Sequence, residues 1–175
     1  MENKKILLHT CCAPCASPSG ERLLENGWDI TLFYSNSNIF PETEYIKRLE
    51  SAKKLAGIWK VPLVTDSWDH DQWRKYVKGH ENEPEGGSRC SLCFEFNLKR
   101  TADKAEELGF AAFTTTLTLG PYKNSKVIFD IASVFPGFME FNFKKKNGFL
   151  RSVELSREYG LYRQNHCGCE FSIRG

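Results

Sequence analysis

With 175 residues, 41% hydrophobic, 26% charged and 13% aromatic, the chain has the make-up of one globular domain with at most a small appendage, not of a collagen-like, disordered or mucin-like polymer. Lys and Arg number 24 against 22 Asp and Glu, and a net charge of +2 is too balanced for a general nucleic-acid coat or a membrane-surface binder. No stretch approaches the roughly 18 consecutive apolar residues of a membrane span, and the run Ile6, Leu7, Leu8 stops at His9, too short for a signal peptide.

Lys4 to Thr10 reads as a buried strand running straight into Cys11, and Ser17 to Glu25 carries a helical pattern closed by Asn26-Gly27. Asp29 to Tyr34 is a second strand. Pro41 sits where a helix can start, and Tyr45, Leu49, Lys53 and Ala56 mark that helix to near Gly57. Val61 to Thr65 supplies a third strand, Gln72 to Lys78 a helical stretch, and His80 to Gly87 a polar loop. From about Ser88 to Leu108 the pattern is long, helical and amphipathic, and Gly109 closes it before a strand from Phe110 to Leu117. Asn124 can cap a helix through Ala132; beyond it, short apolar pieces alternate with Lys144-Lys145-Lys146 and a final cysteine pair. Strands alternating with helices predict a parallel sheet covered on both faces, with functional loops at the carboxyl ends of its strands.

The expected compartment is the cytoplasm, where thiols stay reduced and cysteines serve metals or redox chemistry. Seven cysteines are an odd number and fall well short of the roughly 8–10% of a disulfide-stapled mini-protein. Cys11, Cys12 and Cys15 crowd a strand-to-helix turn, where backbone N–H groups and the helix dipole favour thiolate; the plain alternative is small residues filling a tight turn. Cys90 and Cys93 form a CxxC at a helix start, on one helical face. No strand leads into this CxxC, which counts against a thioredoxin-like dithiol. Together the two clusters supply the four thiolates of a zinc or iron–sulfur site, or of a zinc site that only staples loops. Cys167-Gly168-Cys169 would close a small, strained and easily reduced ring, unless it adds further metal ligands. Among the histidines, only His9 and His166 lie near cysteines. Lys144 to Lys146 reads as a solvated turn that could meet phosphate, and Trp28, Trp59, Trp68 and Trp73 as packing.

Four blocks now stand out: His9-Thr10-Cys11-Cys12-Ala13-Pro14-Cys15; Glu83-Pro84-Glu85-Gly86-Gly87-Ser88-Arg89-Cys90 through Cys93-Phe94; Thr115 to Thr118 through Pro121-Tyr122-Lys123; and Leu161-Tyr162-Arg163-Gln164 through Cys167-Gly168-Cys169. In order and residue type they resemble the signature blocks of the epoxyqueuosine reductase QueH family, over nearly the whole chain. The resemblance implies reduction of epoxyqueuosine to queuosine at the wobble position of tRNA, the last step of that modification, without cobalamin and with a [4Fe–4S] cluster. It implies Cys11, Cys12, Cys90 and Cys93 as cluster ligands and Cys167 with Cys169 as a redox-active disulfide. The turn itself does not choose which two of Cys11, Cys12 and Cys15 face the cluster.

The fold implied is a three-layer α/β sandwich with a parallel sheet, like the adenine nucleotide alpha-hydrolases (ATP pyrophosphatases). It forms a single catalytic domain, 1–175, whose C-terminal segment from about 137 packs the redox pair near the site. The Ser-Gly-Gly run of an active ATP pyrophosphatase is absent after the first strand, which counts against nucleotide hydrolysis and against an ATP-dependent iron–sulfur tRNA thiolase. The remaining competitor is a zinc-stapled tRNA-binding module without catalysis. Cleaving the epoxide needs two electrons, two protons and polarisation of the leaving oxygen. Cys15 is the candidate for that role, as thiol acid or as ligand of a second mononuclear iron that Asp69 would complete. Partners are the epoxyqueuosine-bearing tRNA and an electron donor of unknown identity, with no membrane.

Overall fold

In the computed structural model, which describes residues 4–172, strand β1 (Lys4–His9) lies inside a four-stranded, all-parallel sheet. The ends of the expected 1–175 domain lie outside the described residues. After β1 come α1 (Ala13–Glu25), β2 (Trp28–Tyr34), α2 (Glu42–Trp59), β3 (Leu63–Thr65), α3 (His70–Tyr76) and α4 (Ser88–Leu108). Then follow β4 (Phe113–Thr115), a 3-10 turn at Leu117–Leu119, α5 (Ser125–Ala132), α6 (Gly148–Tyr159) and a last 3-10 turn at Glu170–Ser172.

Three consecutive apolar residues in β1 make sense because both faces of the sheet are covered. Ile6 and Leu8 turn to one face, meeting Leu23 of α1 and Ala56 of α2, while Leu7 turns to the other, against Ala105 of α4. Each such side chain, fully withdrawn from water, contributes about 1.5–3 kcal/mol. The result is the expected three-layer α/β sandwich. The strand order is β3-β2-β1-β4. The chain therefore builds outward through β2 and β3, then crosses back to lay β4 on the far side of β1. That reversal opens a crevice at the carboxyl ends of β1 and β4, where α/β sheets place their ligands.

Several boundaries differ from the pattern. Helix α1 begins at Ala13, not Ser17, with Pro14 in its first turn and Pro18 inside it. Pro18 has no N–H to give the Pro14 carbonyl, and the Ser17 hydroxyl donates to that carbonyl instead, at 2.9 Å. The fourth strand shrinks to Phe113–Thr115: Phe110 N–H is still engaged by the α4 terminus at Ala105 O, and beyond Thr115 the Leu117 N–H turns back to Thr115 Oγ1. Helix α6 was not anticipated. Its buried face is Gly148, Ser152, Leu155 and Ser156, too small and polar to show an apolar stripe, whereas Phe149 and Leu150 are exposed.

Candidate active site

His9 closes β1 and ties three strand ends together. It is fully buried, with Nε2 2.9 Å from the Ser35 carbonyl after β2 and Nδ1 2.9 Å from Thr115 Oγ1 of β4. Burial lowers its pKa, so it is a neutral strut rather than an acid. Held in this way, the next residues enter the crevice. Cys11 N–H donates to Thr116 Oγ1 at 3.1 Å, and Cys12 caps α1 by accepting the Cys15 N–H at 3.4 Å. The sulfurs of Cys11, Cys12 and Cys15 all lie within 4.8 Å of one another.

Helix α4 faces this turn with its first two cysteines. Its preceding loop is clamped by buried Arg89, whose Nη1 donates to the Glu81 and Glu83 carbonyls, and Gly86 N–H reaches Cys90 Sγ at 3.3 Å. The third wall is the C-terminal strap. Cys169 bridges Ile39, and Phe40 N–H donates to Gly168 O at 2.9 Å. Arg48, only 2% exposed, donates from Nη1 to Cys167 O at 3.1 Å and from Nη2 to His166 O at 3.2 Å, while its Nε meets Glu44 at 2.8 Å. Gly168 has φ 106°, and a Cβ there would stand 2.8 Å from Arg48 Nη1 and 2.9 Å from Ile39, so glycine is required.

The outcome is that all seven cysteines line one cavity of about 120 Å³. They are free thiols, Cys167 and Cys169 included. Their acidities are driven apart. Hydrogen bonds from Cys11 and Cys15 hold Cys12 well below an ordinary thiol, while Cys11 and Cys15 are raised. The Cys169 thiol, helped by Ser172 and Lys123, brings Cys167 down to about 4 against the effect of burial, and Cys169 is raised in exchange. Burial pushes Cys93 up to about 12, with the Trp73 indole acting in the opposite direction. Burial also opposes the charge on Lys123, but Cys11, Cys15 and Cys167 outweigh it and hold its ammonium protonated.

Asp69 does not join this group. It is exposed and outside the cavity lining, and its Oδ1 accepts the Gln72 N–H at 3.0 Å as the cap of α3; the acidic residue that lines the cavity is Glu85. Lys145 and Lys146 are exposed as expected, but the Lys144 ammonium donates to the Lys123 carbonyl. Sequence reasoning also missed Trp73, taken as packing, and Asn97, Arg48, Lys123 and Gln164, all of which line the cavity. Lys123 and Gln164 sit inside recognisable blocks. Arg48 carried only an (i, i+4) pairing with Glu44.

A second chamber, of about 800 Å³, adjoins the first and shares Cys15, Glu85, Tyr122, Lys123, Gln164 and Cys167 with it. Four buried polar atoms lack a partner among the described residues: Trp73 Nε1, Asn97 Oδ1, Gln164 Oε1 and His166 Nε2. All four residues line one or both chambers. Buried polar groups are almost always paired, so their concentration here marks space built for a ligand.

A protein-family model described as epoxyqueuosine reductase QueH matches residues 6–175. The chain belongs to the epoxyqueuosine reductase QueH family. It is 39% identical over 180 residues to the epoxyqueuosine reductase QueH of Streptococcus pyogenes serotype M1, covering 97% of this chain and 70% of that one. The relative of the same name from Acinetobacter baylyi is also 39% identical, over 97% of this chain and 81% of its own. The Thermotoga maritima QueH is 35% identical, over 96% and 90%. By its QueH membership the chain is an oxidoreductase, and among the described residues no helix is long and apolar enough to cross a membrane.

Proposed function

We propose that this chain reduces epoxyqueuosine to queuosine in tRNA, the last step of queuosine formation, in the cytoplasm and without cobalamin. The reading holds that Cys11, Cys12, Cys90 and Cys93 carry a [4Fe–4S] cluster within a single catalytic domain whose C-terminal segment brings in the redox pair. The observation that carries it is the meeting of all seven thiols in one cavity, in a chain of this family. The donor set suits the cluster: soft thiolates from two turns, with the unpartnered Trp73 N–H beside Cys93 ready to donate to sulfur. When bound, the cluster supplies electrons one at a time.

The chain's own groups and solvent account for the rest of the balance. Conversion of an epoxide to an alkene consumes two electrons and two protons and releases water. Oxidation of the Cys167 thiolate and the Cys169 thiol to a disulfide yields two electrons and one proton, the second proton coming from solvent; an external one-electron donor, in two steps and with one proton from water, then restores the pair. Cys15 lines both chambers and so borders the thiol cavity and the outer space alike. In this reading Cys15 is the group that assists the leaving oxygen, as thiol acid or as ligand of a second iron.

The test is anaerobic purification followed by absorption spectroscopy, iron, sulfide and zinc analysis, and mass spectrometry of treated tRNA. Brown protein with equal iron and sulfide, converting the epoxide to the alkene, is expected; stoichiometric zinc without sulfide ends the reading. Cys167→Ser should keep the cluster spectrum and tRNA binding and lose repeated turnover. Loss of the cluster in that variant would make the pair a ligand set instead.

A further inference from the structure

The large outer chamber has features that the redox chemistry does not use. Tyr122 stands at its lip with 85% of its surface in water, between Pro121 and the inward-turned Lys123. Arg163, in the same lining, lies over the Phe149 ring at 5.7 Å, and its Nη1 is held by Ser156 Oγ at 3.2 Å and Ser152 Oγ at 3.5 Å. Hydroxyls fix this guanidinium, and among the described residues no carboxylate pairs with it, so its charge is available to an anion. The unpartnered Gln164 Oε1 and His166 Nε2 complete the lining. At about 800 Å³ the chamber falls within the roughly 300–1,000 Å³ of small-molecule sites.

A stacked base in an anticodon loop cannot present its substituent to thiols at the bottom of a crevice, and enzymes that act on a base take it out of the stack. Exposed single-stranded bases are bound by aromatic faces and their phosphates by arginine. We propose that the outer chamber receives the wobble nucleotide extruded from its loop, with the base stacked on Tyr122 and a flanking phosphate on Arg163. Gln164, on the wall shared with the thiol cavity, offers its amide to the part of the nucleoside that faces the sulfurs. The identity of the nucleoside rests on the reductase reading; the stacking geometry rests on Tyr122 and Arg163.

The experiment uses the cluster-loaded protein and an anticodon stem–loop RNA with 2-aminopurine at the wobble position, read by fluorescence and by competition with the epoxide-bearing loop. Tyr122→Ala should weaken binding and raise KM roughly 5- to 150-fold, the range of one base–aromatic stack, with a smaller effect on kcat. Tyr122→Phe should restore most of the affinity. Arg163→Gln should flatten the slope of log affinity against log salt by about 0.7, one single-strand phosphate contact. Because Tyr122 is exposed, loss of folding does not confound the result. Unchanged affinity and KM in Tyr122→Ala, while the parent reduces the epoxide, overturns the assignment alone. A parent that binds the loop through Tyr122 but leaves the epoxide intact overturns the reductase reading and leaves the chamber standing.

Discussion

Replacing Arg48 with Met should detach the cysteine strap from α2. The substitution removes two bonds to the carbonyls of His166 and Cys167 and strips Glu44 of its charged partner, leaving it the Tyr162 hydroxyl, while the methionine stem fills much of the same space. Breaking a buried ion pair by removing one member costs about 3–5 kcal/mol, and the lower figure applies because Glu44 keeps 15% exposure. For a domain of this size about 3 kcal/mol corresponds to a fall in Tm of roughly 6–12 °C. Thermal unfolding followed by circular dichroism at neutral pH measures it, with the rate of Cys167 alkylation as a local readout that should rise. The sign with pH follows from Glu44. Burial would raise its carboxyl, but Arg48 and Tyr162 outweigh burial and hold it below the usual range. Its contribution is therefore present above the unfolded value of about 4.3 and lost as pH falls through the lower folded value. Without Arg48 the stranded carboxylate is relieved by protonation, so the gap between parent and variant should narrow on acidification. A variant that melts with the parent at pH 7 and is alkylated no faster would refute the clamp.

Cys90→Ala or Cys93→Ala should abolish cluster binding and loosen the loop from His80 to Gly87, seen as lost visible absorption and faster proteolysis there; a full cluster in either variant would exclude that residue as a ligand. Trp73→Phe should retain the cluster and move its midpoint potential to more negative values, because an N–H directed at a ligand sulfur favours the reduced, more negative state; a redox titration that shows no shift removes Trp73 from the electron chemistry. Substituting Lys145 and Lys146 together by Ala should weaken tRNA binding, the salt slope falling by about 0.7–0.9 per phosphate contact, and unchanged affinity would place the tRNA face elsewhere.

The parallel strands could be read from the chain because Ile6, Leu7 and Leu8 are apolar without alternation, the pattern of a strand covered on both sides. The cysteine clusters could be read because several thiols at short spacing are rare in a reduced chain. Spacing said nothing of Asp69, which has the right charge and follows the right strand but spends its oxygens on a helix cap. Arg48 and Trp73 escaped for the opposite reason. Each belongs to a common kind of pair or core ring, and only the fold brings them against cysteines about 120 residues beyond Arg48 and 20 beyond Trp73. Helix α6 escaped because serines and a glycine, rather than leucines, let it lie close to α1.

The strap that closes the cavity is synthesised after both of the other cysteine clusters, since translation proceeds from the amino end. Five of the seven thiols exist once Cys93 has been added, yet Arg48 has no carbonyls to hold and Ile39 no bridging partner until Cys167, Gly168 and Cys169 follow. A nascent chain thus carries five unenclosed thiols before it carries a closed site. A chain cut short between Cys93 and His166 would carry five of the seven thiols and none of the strap that encloses them.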